Sequence, residues 1–156
     1  SGPTKGEAMS YMPGNLPTFS GTTDIDDSVQ DESAGWFVVL TVAPVAGGPI
    51  RDCVVYLDMA KATTGYGAVE STATIQFRVA RKVDGTNWRG GTPTTAVSGT
   101  NYAGRLQEVS IGNVDADESA RIEALMSADA TSDMEIPYVG YYEGPIAPTV
   151  TAVAAG

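Results

Sequence analysis

Thr72-Ala73-Thr74-Ile75-Gln76-Phe77-Arg78-Val79-Ala80-Arg81-Lys82-Val83 decides the fold class of this chain. Ala73, Ile75, Phe77 and Val79 fall on one side of an extended backbone, and Thr72, Thr74, Gln76, Arg78 and Lys82 on the other. Successive side chains of a strand point to opposite faces, so the stretch reads as a half-buried antiparallel strand with one wet side. Asp84-Gly85 follows it, a strong hairpin signal.

Upstream lie two more strand candidates. In Arg51 to Met59, Cys53, Val55, Leu57 and Met59 point one way, with Asp52, Tyr56 and Asp58 the other. Trp36-Phe37-Val38-Val39-Leu40-Thr41-Val42 is apolar on both faces, which suits a central strand and places Trp36 in the core. Pro44 and Gly47-Gly48-Pro49 end it.

Downstream, residues 86–105 form a long polar stretch, and a loop of that length inside a compact domain is often functional. Glu108 to Val114 resumes strand character. Residues 115–128 fit either a helix with acids at its start or a strand in which Ala120, Ile122, Ala124 and Met126 share a face. The β-rich surroundings favour the strand. Met134 to Tyr142 then reads as its hairpin partner, with Pro137 implying an edge or a bulge and the tyrosines split between core and surface.

Seven or eight short strands separated by turn signals point to an all-β, antiparallel β-sandwich, with the jelly roll as one form of it. A barrel such as an OB-fold is the second choice. The sandwich domain spans residues 36–148. Residues 1–35 read as an extended N-terminal arm, because Met9, Tyr11, Met12, Leu16 and Phe19 are scattered among glycines and prolines without a period of two or 3.6. Free tails seldom carry so many large apolar residues, which favours an arm ordered against its own domain or a neighbouring subunit over a disordered terminus. Thr149 to Gly156 is a small, uncharged C-terminal tail, either disordered or able to add a strand to a neighbour's sheet edge.

Composition narrows the chemistry. The 156 residues include no histidine and one cysteine, Cys53, so a triad built on an imidazole and a Cys/His zinc site are both out of reach. An intrachain disulfide is excluded for the same reason. The net charge of −10 argues against nucleic acid, since phosphate binding needs basic surface. No apolar run is long enough for a membrane-spanning helix, and the start lacks a signal peptide's apolar centre, so a cytoplasmic site of synthesis is expected. The charge is uneven: residues 51–105 carry Arg51, Lys61, Arg78, Arg81, Lys82, Arg89 and Arg105 against four acids, between strongly acidic ends. That is either a solvated surface or a weakly basic face suited to an acidic partner.

Individual sites weigh little. Asp115-Ala116-Asp117-Glu118-Ser119 alternates oxygen ligands, but Ala120 and Met126 stand where an EF-hand needs glycine and glutamate. Paired acids of a glycosidase would be met by chance among 19 carboxylates, and no context singles out a pair. No catalytic residue, metal site or cofactor is implied. Trp88, between Asn87 and Arg89, has the composition of an interface anchor.

The Gly/Pro-rich arm (1–35), the acidic His-free chain, the compact β core from Trp36 to Tyr142, and the small-residue tail TVTAVAAG together resemble the head-decoration, or cement, proteins of tailed bacteriophages. The segment SARIEALMSADATSDMEIPYVGYYEG looks like a strand–turn–strand of such virion proteins. The resemblance implies a non-enzymatic structural protein made in the host cytoplasm and located on the capsid exterior. Its partners would be the major capsid protein of a phage head and further copies of itself, with a trimer favoured, and neither nucleic acid nor membrane. The contact residues would be Met9, Tyr11, Met12, Leu16 and Phe19 of the arm, with Trp88 and Arg89. The rival from another class is a carbohydrate-binding sandwich of receptor-binding or adhesin type.

Overall fold

The computed structural model describes residues 16–25, 35–59, 74–82, 84–98, 106–127 and 134–153. Ten strands occur among them: β1 (Thr18–Ile25), β2 (Phe37–Ala43), β3 (Ile50–Asp58), β4 (Thr74–Lys82), β5 (Trp88–Gly90), β6 (Val97–Ser98), β7 (Leu106–Val114), β8 (Ser119–Met126), β9 (Met134–Glu143) and β10 (Thr149–Ala152). They form two antiparallel sheets. The smaller has the order β1-β9-β3-β7; the larger runs β10-β2-β8-β4-β5, with β6 also paired to β4. Apart from the β4–β5–β6 excursion, each successive strand lies in the other sheet. The chain is therefore an all-β sandwich in which most neighbours in space are distant in sequence.

Period-two patterning explains the core. Cys53, Val55 and Leu57 of β3 and Ile111 of β7 face Leu40 and Val42 of β2, Ile75 and Phe77 of β4, and Ile122 of β8, and all are essentially inaccessible to water. Ser119–Met126 is a strand, and its alternation puts Ala120, Ile122, Ala124 and Met126 inside. The Asp84-Gly85 turn joins β4 to β5. Gly85 takes a φ of +80°, and the Asp84 carboxylate accepts the N–H groups of Thr86 (2.9 Å) and Asn87 (2.8 Å).

Four expectations are corrected. First, Thr18–Ile25 of the arm is ordered against its own domain, one of the two alternatives favoured for it, but as a regular strand paired with β9 along its whole length and not as an aperiodic extension. Its period is hidden because Phe19 and Thr23 face inward on either side of Gly21, and the Tyr138 ring occupies the space a side chain at 21 would need. Second, Thr149–Ala152, assigned to the tail, pairs with β2 of its own domain. Third, β8 and β9 are not a hairpin: β9 lies in the other sheet between β1 and β3. Pro137 is tolerated in this inner strand because the β3 ladder ends one residue earlier, at Leu57↔Tyr138. Fourth, the start of the 86–105 stretch is not a free loop. It runs along the edge of β4, with Gly91 donating to the Val79 carbonyl (2.8 Å) and Thr94 to that of Phe77 (2.7 Å).

Three polar ties cross between the sheets. The buried Thr23 hydroxyl donates to the Val39 carbonyl (2.6 Å), freed for this by a bulge between Val38 and Leu40. Val153 accepts from the Asp24 N–H (2.9 Å) and donates to the Val39 carbonyl (3.2 Å), joining both terminal strands to β2. At the far side Arg81, which shares the inner side of β4 with Phe77, donates to the carbonyls of Ile111 and Asn113 (2.7 Å to the latter) around Gly112, where φ is +74°.

Candidate functional site

Of the residues singled out for contact, the described ones do not form one site. Met9, Tyr11 and Met12 lie outside the described residues. Leu16 is half-buried at the bend before β1. Phe19 is on the inner side of β1, where its ring lies over Gly140 and packs against Tyr138 (centroids 6.4 Å apart) and Tyr142 (6.1 Å). It is thus a wall of the core rather than an outward anchor. Trp88 and Arg89 belong to β5 in the other sheet. Arg89 is exposed, while Trp88 is half-buried beneath cations.

Those cations belong to an ordered array on the outer face of the larger sheet. The alternation that sends Ile75 and Phe77 inward sends Arg78, Ala80 and Lys82 outward, opposite Glu123, Arg121 and Ser119 of β8 in register. Glu123 is only 3% exposed although it lies on the outer face. A carboxylate so placed must be paired, and it is: Arg78 Nε donates to one oxygen and Arg121 Nε to the other, each at 2.7 Å. Each guanidinium in turn lies on an indole, Arg78 at 4.2 Å from the Trp36 centroid and Arg121 at 4.1 Å from that of Trp88. Lys82 Nζ stands 5.2 Å from the Trp88 centroid. Gly90 makes room for this, since a Cβ there would meet the Arg78 guanidinium at 2.4 Å. Trp36, expected in the core, is therefore a half-buried platform on the outside. The signal was present as polar positions of matching phase, Arg78 on β4 and Arg121-x-Glu123 on β8, but pairing them required the register.

The outer face of the smaller sheet is different in chemistry. Tyr56, Asp58, Leu106, Pro137, Val139 and Tyr141 line a shallow groove of about 470 Å³. Leu106 is 57% exposed and Val139 36%. The Tyr56 and Tyr141 rings meet edge to face, 5.8 Å apart at 77°. Burial, and then the neighbouring Glu108 carboxylate, raise the Tyr56 phenol above its ordinary value. Asp58, Glu108 and Glu135 give the face an acidic margin. Such a surface can offer apolar contact, tyrosine hydroxyls and carboxylates to a partner.

Cys53 is wholly buried, and burial pushes its thiol up to about 12, with Arg81 acting weakly in the opposite sense. A neutral, inaccessible thiol packs as a small apolar group. In the Asp115–Glu118 turn, Asp115 pairs with Arg51 (3.3 Å) and its N–H donates to Glu118 Oε1 (3.2 Å). Among the described residues no three Asp, Glu or Cys side chains converge as a metal site. The chain matches no protein-family model, no curated protein and no solved structure.

Proposed function

We propose that the chain is a structural virion protein of the capsid-decoration type. It binds the outside of an assembled phage head through the outer face of the smaller sheet and acts there as a homo-oligomer, with a trimer favoured. The observation that carries this reading is the apolar strip that exposed Leu106 and Val139 form with half-buried Tyr56, Pro137 and Tyr141 on the outer face of the smaller sheet. Exposed apolar patches rimmed by polar groups mark interaction surfaces. A weak contact of this kind becomes firm when linked copies engage a repeating lattice together. The test is co-sedimentation with expanded, undecorated capsids. Leu106→Asp combined with Val139→Asp leaves the core untouched and is expected to weaken binding at least tenfold, which is about 1.4 kcal/mol. Absence of binding by the wild type, or undiminished binding by the double variant, refutes the reading.

A carbohydrate-binding role on the same face is the second reading, favoured by two tyrosines beside Asp58 and Glu108. The near-perpendicular rings count against it, because a sugar face stacks best on a flat platform and edge-to-face rings do not make one. Glycan-array binding lost in Tyr56→Ala and Tyr141→Ala would reverse the order of the two.

A further inference from the structure

We infer that the arginine–tryptophan array of the larger sheet is a binding site for a carboxylate-rich peptide segment of a partner protein. The inference is independent of the capsid reading and concerns the opposite face of the sandwich.

Among the described residues, Arg78, Arg121 and Lys82 share this face with one acid, Glu123. A cap serving only to neutralise Glu123 would need one arginine. The second guanidinium and the lysine therefore form a positive excess, held together on a chain whose net charge is −10. The geometry adds direction. Glu123 takes the Nε–H of each arginine, one of the five donors on each guanidinium. Among the described residues the Nη groups of both make no hydrogen bond. Their side chains are 25% and 24% exposed, so these donors are neither buried nor free to wander.

Pre-organisation is the third element. Stacking on Trp36 and Trp88 and the grip of Glu123 have already fixed the rotamers, so a ligand meets little further ordering cost. Gly90 lets the Arg78 guanidinium lie against the β5 backbone, which helps hold it in place on Trp36. Glu123 takes a single Nε–H from each guanidinium, which leaves the paired Nη donors to bind a further carboxylate in fork geometry. A long polyanion such as nucleic acid is disfavoured by repulsion from the rest of the chain, and an indole face covered by a cation cannot stack a base. A short acidic segment avoids both penalties.

The two tryptophans of the chain are both in this array, so intrinsic fluorescence reports on it directly. The probe is a tetraglutamate peptide, acetylated and amidated at its ends, titrated into the full chain at low salt. A saturable change in emission is expected, with a dissociation constant on the order of 1 mM or tighter, weakening severalfold as salt screens the pairing. Arg121→Gln is expected to weaken binding about tenfold, the loss expected for one charge-assisted pair. Because that change also leaves Glu123 with one partner, Lys82→Gln serves as the second variant: it touches no bond to Glu123 and should weaken binding about threefold by loss of one unit of charge. Arg89→Gln, exposed and outside the array, should not alter it. Absence of a saturable change, equal affinity in Arg121→Gln and Lys82→Gln as in wild type, or inorganic phosphate binding as tightly as the peptide each overturns the assignment.

Discussion

Phe19 provides the sharpest test of how this sandwich is closed. Its ring lies over Gly140, the residue directly opposite it in the β1–β9 register, and a Cβ at position 140 would come within 2.0 Å of the ring. Gly140 does not have a positive φ, so alanine suits its backbone and the ring is the whole obstacle. Tyr138 and Tyr142 flank Phe19, leaving it no space to move inward. Gly140→Ala must therefore drive the ring toward water. Overpacking costs typically 1–3 kcal/mol, and a half-buried phenylalanine loses about 2 kcal/mol of packing when displaced. Phe19→Ala deletes the same contacts and should also cost about 2 kcal/mol, less than a fully buried ring. In the double variant the new methyl group fills vacated space. Its total should stay near about 2 kcal/mol, lowered further by the smaller unfolded-state entropy of alanine. Urea denaturation of the four proteins gives the cycle, with a coupling energy of about 2 kcal/mol and each single variant melting about 4–8 °C below wild type. Additive single effects, agreeing to within about 0.5 kcal/mol, would refute the interlock. An unchanged denaturation midpoint in Phe19→Ala would show that the ring serves a partner and not the sandwich.

Two further predictions concern pH. The Cys53 thiol has its pKa raised from 9.0 to about 12 in the fold, chiefly by burial, so the neutral form is favoured there. Its contribution to stability is complete below pH 9 and is lost as pH rises from 9 through about 12; Cys53→Ala should flatten that part of the melting-temperature profile, and the native thiol should stay inert to a thiol reagent at pH 8. Asp84 is displaced the other way, from 3.8 to about 2, mainly by the N–H groups of Asn87 and Thr86. Its contribution is present above pH 3.8 and is lost as pH falls through about 2. Asp84→Ala should make the acid limb of the same profile shallower, and an identical limb in the variant would contradict the turn geometry.

The strands that could be read from the chain are those in which one face is uniformly apolar. Ile75 and Phe77, or Cys53, Val55 and Leu57, declare their side of the sheet because burial acts on each strand separately. Turn chemistry was equally local, as at Asp84-Gly85. The absence of histidine and of a second cysteine likewise limited the chemistry before any fold was known. β1 escaped because half of its inward pattern resides on another strand: Tyr138 fills the place of the missing side chain at Gly21, and Gly140 receives Phe19. β10 escaped because four small or β-branched residues carry no face of their own until β2 supplies one.

Both candidate faces depend on pairings between residues far apart in the chain. Arg78 meets Glu123 across 45 positions, and Tyr56 meets Tyr141 only because β9 inserts beside β3. Local amino-acid order specifies which residues are extended and which side of each strand is wet. Register and sheet order, set by the joint packing of ten strands around one core, decide which wet residues become neighbours. A charge or a ring acquires a binding role from those neighbours, and for that reason the interaction surfaces emerge only in three dimensions.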